Sequence, residues 1–312
     1  MSQQPITPEL LSMVDAIARH GSFARAAREL GKVPSAVTYA VRKLEDGLDV
    51  LLFDRSGHRA QLTQAGETLL HDGRHVLQSL DDLAYRVKRV ATGWEVELRI
   101  AVSAVLPWRP FYALIEAFRQ VGAGTTLRFS AEVLSGTWDA LASGRADLVI
   151  GADAAGAPAG AFRSQAMGRT QFGFCVAPHH PLAALSARRA LTAEDIAAHC
   201  AVVVADTSRD LPARTRGLLT QQSMIIMPTM QDKVEAQVRG LGCGYLPLTL
   251  AAAHIARGQL VICATEEGIA LDENVVYAWQ ARQPGAGLAW WLEKLKSPKL
   301  CEHLLGLADV MP

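Results

Sequence analysis

The stretch that decides the fold of the N-terminal part reads GSFARAARELGKVPSAVTYAVRKLE and spans residues 21–45. Ser22 predicts a helix start, because its hydroxyl can accept hydrogen bonds from the free backbone N–H groups of a first turn. The apolar residues that follow share one helical face: Phe23, Ala26, Ala27 and Leu30. Gly31 then interrupts the chain, and Pro34 suits the first turn of a second helix, which we expect to run to Leu48.

Another helix precedes this pair. Its apolar residues also recur at helical spacing: Leu10, Leu11, Val14, Ile17 and Ala18. We expect it to end at His20-Gly21, where glycine suits a left-handed position. Two short helices joined by a tight turn that contains glycine form a helix-turn-helix, whose second helix enters the major groove of double-stranded DNA.

The helix from Pro34 to Leu48 has two different sides. Its inward positions are apolar: Val37, Val41, Leu44 and Leu48. Its outward positions are polar or aromatic, and we expect three of them to contact base edges: Ser35, Thr38 and Tyr39. Phosphate contacts are expected from the nearby cations and from one helix start: Ser22, Lys32, Arg42 and Lys43.

The charge is local rather than global. The 312-residue chain has 31 Lys plus Arg and 31 Asp plus Glu, which excludes a globally basic protein. Between Arg19 and Arg59, however, eight Lys/Arg stand against five Asp/Glu, so this stretch carries +3. A local excess of this kind fits a surface that faces phosphates.

A hairpin is predicted after the helices. Val50-Leu51-Leu52-Phe53 and Ala60-Gln61-Leu62 favour two short strands, and residues 54–59 favour the turn between them. The turn carries Arg55 and Arg59. Such a wing can place an arginine on phosphate or in the minor groove.

A long helix is predicted from Thr63. Some of its apolar residues repeat every seven positions and others fall four later: Leu69, Val76, Leu83 and Val90, then Leu80 and Val87. Seven-residue spacing suggests a helix pair between subunits. An ordinary core helix fits the same periodicity, so both interpretations stay open here.

Residues 10–66 resemble the DNA-binding domain of a LysR-type transcriptional regulator. The resemblance rests on the order and spacing of these short motifs: Gly21-Ser22-Phe23, Ala26-Ala27-x-x-Leu30, Ser35-Ala36-Val37-Thr38, Leu44-Glu45, Leu52-Phe53-x-Arg55 and Leu62-Thr63-x-Ala65-Gly66. The resemblance covers the whole chain in length and layout, but it is specific only for this part. One departure is Val33-Pro34, where members usually have Ser/Thr-Gln, so base contacts must shift to neighbouring residues.

The resemblance implies an α/β protein with an all-α-type winged helix-turn-helix at its N-terminus. It places that domain at 1–65, a linker or dimerisation helix at 66–92, and a two-lobed α/β effector-binding domain at 93–312 that resembles periplasmic binding proteins. Lobe one would take about 97–168 plus 269–312, and lobe two about 169–268. The implied partners are DNA, a small-molecule effector, further copies in a dimer or tetramer, and RNA polymerase.

The C-terminal part alternates strand and helix patterns, which indicates a parallel or mixed sheet with helices on both faces. The predicted strands are 98–102, 127–132, 147–151, 172–177, 201–205, 224–227, 259–263 and 274–281. The predicted helices include 138–143, 193–198, 230–239 and 248–257.

Polar residues follow several of these strands, where ligands of open α/β sheets bind. The candidate effector-binding residues are Ser103, Ser135, Thr137, Thr207 and Thr229. Hydroxyls and free N–H groups at helix starts favour small anions such as carboxylates. Trp108 and Trp138 could wall an aromatic ligand, although core packing explains them as well. Each hydroxyl could also be a plain helix cap.

Asp206 complicates the ligand's charge. Its carboxylate would repel an anion unless it pairs with a cation such as Arg209 or faces away. The sequence therefore leaves the charge of the ligand open.

Other chemistries find no support. The five cysteines form no CxxC, His179-His180 suits a surface turn, and Gly240-x-Gly242-x-Gly244 lacks the strand-turn-helix context of a nucleotide site. We therefore expect no metal, no cofactor and no catalytic residue. The absence of a long apolar stretch or a signal-like start predicts a cytoplasmic protein. A solute-binding module, or an enzyme with an accessory DNA-binding domain, stays the alternative.

Overall fold

The computed structural model describes residues 6–54, 59–121, 124–215, 217, 219, 222–266 and 273–307. Within the helix Gln64–Thr92, it leaves out the side chains of residues 82, 85, 86 and 88–91. The chain divides into two compact units, Met1–Val87 and Lys88–Pro312, and each has hydrophobic clusters of its own. Among the described residues, no helix is both long and apolar enough to cross a membrane.

The N-terminal unit begins with the three predicted helices, α1 (Pro8–His20), α2 (Phe23–Glu29) and α3 (Pro34–Leu48). Gly21 ends α1 in the left-handed conformation, with φ of 60°. The Ser22 hydroxyl accepts a hydrogen bond from the Arg25 N–H at 3.4 Å and so caps α2. The predicted start and end signals of these helices are confirmed.

A small core holds the three helices together. Ala26 and Ala27 are fully buried, which lets α2 lie close to its neighbours. The other buried members come from α1, α3, the start of the wing and the helix after the wing: Val14, Ala16, Ile17, Val37, Val41, Leu44, Leu52, Phe53 and Leu70. The inward positions predicted for α3 therefore form this core, although Leu48 is only partly buried.

The wing strands β1 (Phe53–Asp54) and β2 (Gln61–Leu62) pair antiparallel. The first begins later than the predicted 50–53. Asp49 adopts a left-handed conformation, and the Val50 N–H donates to the Glu45 carbonyl, so these residues finish α3 instead. The buried Glu45 carboxylate then accepts from the Leu52 and Phe53 N–H groups at 2.8 and 3.2 Å. This carboxylate fixes the base of the wing to α3.

The next helix, α4 (Gln64–Thr92), has 29 residues. Four of its predicted heptad positions are exposed to a large extent: Val76 49%, Leu80 41%, Leu83 52% and Val87 64%. Leu69 instead packs partly against the N-terminal core, and the Val90 side chain lies outside the described residues. Side chains of this size gain about 1.5–3 kcal/mol each when they are buried. An ordinary core helix would bury these positions, so the stripe is available to a partner.

The C-terminal unit contains a mixed five-stranded sheet. Its strands are β3 (Glu97–Ser103), β4 (Thr126–Glu132), β5 (Leu148–Asp153), β6 (Phe162–Thr170) and β12 (Glu273–Gln280), in the order β4-β3-β5-β12-β6. Strand β3 is parallel to β4 and β5, whereas β12 is antiparallel to β5 and β6. We call this sheet and its helices, α5 (Arg109–Val121), α6 (Gly136–Ala142), α11 (Ala286–Leu295) and α12 (Pro298–Leu304), the first lobe.

The remaining strands form two smaller sheets, which we call the second lobe with their helices. One sheet has the order β10-β7-β11, and the other pairs β8 with β9. The strands are β7 (Phe172–Val176), β8 (Ala201–Val204), β9 (Met224–Met227), β10 (Gly244–Pro247) and β11 (Val261–Cys263). The helices are α7 (Pro181–Ser186), α8 (Ala193–Ala197), α9 (Met230–Val238) and α10 (Leu248–Ala256).

Both faces of the large sheet are covered, as predicted. Along β3, Ile100 and Val102 pack into one cluster with Trp291, whereas Ala101 packs into another with Trp138. The predicted strands are confirmed, with ends shifted by no more than two residues. Strand β6 was not predicted, because it lies at the sheet edge and most of its side chains are exposed.

The prediction of a surface turn at His179-His180 is wrong for His180. This side chain is buried and caps α7, where its Nδ1 accepts from the Leu182 N–H at 3.3 Å. Burial, and then the neighbouring His199, lower the pKa of His180. A neutral imidazole with a free acceptor nitrogen suits this capping position.

Gly66→Ala tests the junction between the wing and α4. A Cβ at this position would lie 2.1 Å from the Leu52 carbonyl oxygen. We expect the substitution to lower the free energy of unfolding by about 1–3 kcal/mol in a urea titration. Helix propensity alone predicts a gain of about 1 kcal/mol, so a more stable variant would contradict the contact. Ala84→Gly, at an exposed position of the same helix, measures the propensity contribution by itself.

Candidate functional sites

The outward face of α3 is open to solvent. Tyr39 is 70% exposed and Val33, beside the helix start, is 63% exposed. The predicted contact residues Lys32, Ser35, Arg42 and Lys43 are exposed as well. The Thr38 hydroxyl donates to the Pro34 carbonyl at 2.9 Å, which leaves its lone pairs to accept from a ligand.

The cations of this face keep their charge free. Within the described residues, no carboxylate forms an ion pair with Lys32, Arg42 or Lys43. Arg19 differs, because it is held by Asp15 and Glu29, and its hydrogen bond lowers the pKa of Glu29 to about 2. The predicted positive surface is therefore carried by the α3 side of this unit rather than by α1.

The base of the wing lies beside the start of α2. The Ala60 N–H donates to the Gly21 carbonyl at 3.1 Å, and the exposed Arg59 side chain passes within 3.7 Å of the point where a Cβ of Gly21 would stand. Ser22 and Arg59 thus belong to one neighbourhood. Arg55, the other predicted wing contact, lies outside the described residues.

A second candidate site is a cavity of about 160 Å³ in the C-terminal unit. It lies at the carboxyl ends of β3 and β5, where the first lobe meets β8, β9 and α9 of the second. Of the predicted effector residues, the cavity is lined by Ser103 and Thr137, but not by Ser135, Thr207 or Thr229. Several lining residues were not singled out from the sequence: Asp153, Arg214, Lys233, Tyr245 and Glu273.

The Thr207 hydroxyl joins the two lobes. It donates to the buried Glu132 carboxylate at 2.6 Å and accepts from the Val133 N–H at 2.9 Å. The Thr229 hydroxyl caps α9 and accepts from the Asp232 N–H at 3.1 Å. Ser135 approaches the second lobe through its backbone N–H, which donates to Asp206 at 3.1 Å. Each of the three is the chain neighbour of a residue that lines the cavity, namely Leu134, Asp206 and Met230.

Asp206 is satisfied by backbone groups rather than by Arg209. Its two carboxylate oxygens accept from the N–H groups of Ser135, Ser208 and Arg214 at 2.8–3.1 Å. Burial opposes ionisation, but these hydrogen bonds outweigh it and lower the pKa of Asp206. Its negative charge is therefore largely compensated where it faces the cavity.

The buried Asp139 of α6 fixes the same loop. Its carboxylate accepts from the backbone N–H groups of Arg209, Asp210 and Leu211 at 3.1, 2.9 and 2.7 Å and from the Arg145 guanidinium at 2.7 Å. Burial raises the pKa of Asp139, and the hydrogen bonds lower it by more. Asp139 and Asp206 together hold residues 206–214, the loop that closes one side of the cavity.

The remaining sequence features serve structure. Trp138 is buried and its Nε1 donates to the Asp153 carbonyl at 2.8 Å, while Trp108 packs on Phe111 and Phe129. Gly240 follows α9 with φ of 72°, which confirms a helix end rather than a nucleotide site. The five cysteines, all within the described residues, are free thiols.

Comparison with known proteins places both parts of the chain. The family model "Bacterial regulatory helix-turn-helix protein, lysR family" matches residues 8–67, and "LysR substrate binding domain" matches residues 91–297. The chain is 38% identical over 291 residues to the uncharacterized HTH-type transcriptional regulator YeeY of Escherichia coli strain K12, covering 92% of each chain. It is 37% identical over 298 residues to the probable HTH-type transcriptional regulator YhaJ of the same strain, covering 96% of this chain and 98% of that one.

Solved structures share the fold. The crystal structure of full-length CbnR complexed with its target DNA has a TM-score of 0.58 at 17% identity, covering 93% of this chain and 99% of that chain. ArgP from Mycobacterium tuberculosis has a TM-score of 0.53 at 20% identity, covering 95% and 97%. The two-part α/β fold with an N-terminal helix-turn-helix is thereby confirmed.

Asp139→Asn tests the buried carboxylate. Because the pKa of Asp139 is lowered in the folded protein, its contribution to stability is present above the unfolded pKa of 3.8 and is lost as the pH falls further. We expect the variant to lose about 2–4 kcal/mol at pH 7, measured by urea unfolding, with a smaller loss below pH 4. Glu302→Gln, at an exposed position, is the matched control and should change little. Equal stability of Asp139→Asn and wild type at pH 7 would refute the assignment.

Proposed function

The chain belongs to the LysR family of bacterial helix-turn-helix transcriptional regulators, and on that premise we propose which of its surfaces contact DNA, the subunit partner and the effector. It is a DNA-binding regulator whose C-terminal part is an effector-binding domain. We keep the division into a winged domain at 1–65, a linker helix at 66–92 and an effector domain at 93–312 as part of this proposal.

We propose α3 as the helix that reads DNA. The observation that carries this is its exposed outward face, on which free cations flank exposed hydroxyl and phenol groups. Ser35, Thr38 and Tyr39 would contact base edges. The proposed phosphate contacts are Ser22, Lys32, Arg42, Lys43, Arg55 and Arg59.

Paired α4 helices would hold two such domains. The exposed stripe of α4 supplies apolar side chains at the spacing that a helix pair buries. A dimer, or a tetramer of two dimers, would then present two α3 helices to half-sites about 34–36 Å apart or multiples of this. A palindromic operator would match that symmetry.

The effector would occupy the cavity between the lobes. Ser103 and Thr137 are the proposed direct contacts among the hydroxyls, and Ser135, Thr207 and Thr229 belong to the surrounding effector-binding region. A carboxylate or an aromatic compound is the proposed class. Such a molecule alters DNA binding only if it binds two lobe arrangements with different affinity.

We also propose that the protein acts in the cytoplasm, where its DNA is. RNA polymerase is a proposed partner at the promoter. The chain would bind its effector without turning it over. Incubating the protein with any compound that binds it, and measuring the compound afterwards, tests this last point.

Arg42→Ala tests the DNA-reading helix. We expect weaker binding to the DNA beside the protein's own gene, and a slope of log affinity against log salt that is smaller by about 1, because one phosphate contact is lost. Fluorescence anisotropy over a salt titration measures both quantities. Arg239→Ala, which removes an exposed cation of the C-terminal unit, should bind like wild type. An Arg42→Ala slope equal to that of wild type would remove Arg42 from the interface.

Leu83→Asp with Val87→Asp tests the α4 stripe. Two charges at exposed apolar positions should prevent burial against a second copy, so light scattering after gel filtration should give a smaller mass than wild type at equal concentration. Asp81→Asn, at an exposed position of the same helix, is the control. A variant with the wild-type mass would place the subunit interface elsewhere.

A further inference from the structure

We propose that the effector is a small apolar monocarboxylate whose carboxylate is held by Lys233 and Gln237 of α9. This inference rests on the proposed function, because it assigns a ligand class and two specificity-determining residues to the same cavity. It adds a polar contact on α9 to the candidate hydroxyls of Ser103 and Thr137, which line the same cavity.

The two side chains converge behind the cavity. Met230 and Lys233 line the cavity from successive positions of one helical face, and Gln237 follows Lys233 by four residues on that face. A Cβ built on Gly244 would lie 3.1 Å from Gln237 Nε2 and 3.9 Å from Lys233 Nζ. Both polar groups therefore approach Gly244, with Lys233 at the cavity wall and Gln237 in the buried layer next to it.

Gln237 lacks the partners that a buried amide needs. Its side chain is 0% exposed, and neither Nε2 nor Oε1 has a hydrogen-bond partner among the described residues. Buried amides are nearly always hydrogen-bonded, since an unpaired one is costly. Once a carboxylate reaches Lys233 at the cavity wall, the neighbouring Gln237 Nε2 group would donate to the same carboxylate.

Lys233 is the cation of this cavity that no described carboxylate neutralises. Arg214 contacts Asp153 at 3.4 Å, and Asp206 is satisfied by three backbone N–H groups. Glu273 is also engaged with a neighbour. An anion at the Lys233 end would thus meet a free positive charge, with the acidic groups of the cavity already satisfied.

Among the described residues, the titratable groups that act on Lys233 are the thiols of Cys175 on β7 and Cys243 before β10. Burial raises the pKa of each thiol to about 12, so both are neutral near pH 7. Burial also lowers the pKa of Lys233 to about 8. A bound carboxylate would favour the charged ammonium, so its affinity should fall as the pH rises above about 8.

The body of the ligand follows from the size and lining of the cavity. A dry cavity of about 150 Å³ holds a benzene molecule, and this one measures about 160 Å³. Its lining is mostly apolar and includes Val105, Phe172, Val204, Ile226, Met230 and Tyr245. One aromatic ring or a branched chain of similar size fits this space.

Lys233→Met tests the proposal in the full-length protein. The probes are benzoate and 3-methylbutanoate, with benzamide and benzylamine as neutral and cationic counterparts. We expect the two carboxylates to raise the Tm of wild type, and calorimetry to show affinity about tenfold to a hundredfold weaker in Lys233→Met, the size of one charge-assisted hydrogen bond. Gln237→Leu should also weaken the binding of both carboxylates. Lys299→Met, at an exposed lysine, should bind like wild type.

The inference fails if neither carboxylate raises the Tm of wild type. It also fails if benzamide or benzylamine binds as tightly as benzoate, or if Lys233→Met binds the carboxylates as tightly as wild type does. Operator binding by the ligand-free wild type and Lys233→Met separates this outcome from failure of the proposed function. If both bind the operator, only the ligand assignment fails; if wild type does not, the regulator proposal fails.

Discussion

The carboxylate of Asp139 organises the effector-binding part of the molecule. It is buried in the first lobe, and its hydrogen bonds go to three consecutive backbone N–H groups of the loop that follows β8 in the second lobe. A buried charge needs such partners, and a loop with free N–H groups needs acceptors. Each requirement is met by the other, and Arg145 balances the remaining charge. Together with Asp206, which accepts from the Arg214 N–H, this contact holds the loop that closes one side of the cavity.

The large sheet and helix α3 use charge in different ways. In the sheet, the buried Asp147 binds both Arg99 and Arg282. On α3, Arg42 and Lys43 have no described acidic partner and point into solvent. A chain with zero net charge can therefore present a local cationic surface, because its acids are used elsewhere.

The sequence predicts an element well where local chemistry decides it. Gly21, Ser22 and Pro34 set the ends of the first helices, and the structure has those ends. Local patterns were silent on β6, because an exposed edge strand has no apolar alternation. They were wrong on His180, whose burial comes from residues distant in sequence, such as His199.

Some residues of the candidate cavity are predictable from the sequence and others are not. Ser103 and Thr137 are predictable, since they follow strands whose carboxyl ends meet at one sheet edge. Lys233 and Gln237 are not predictable as site residues, because they lie within a helix whose apolar pattern indicates only packing. Their surroundings come from Gly244 and Cys175, which only the tertiary fold brings near. A buried amide without a partner becomes visible only in three dimensions.

The start of α6 lies in close contact with the loop that follows β8. A Cβ at Gly136 would lie 1.9 Å from the Thr207 hydroxyl, so the loop and the helix touch at their limit of approach. Closely fitted surfaces of this kind do not slide by small steps. Separating the lobes here means giving up the contacts of Asp139, Asp206 and Thr207 together. The regulator should therefore respond to its ligand in an all-or-none manner, with little occupancy of half-open forms.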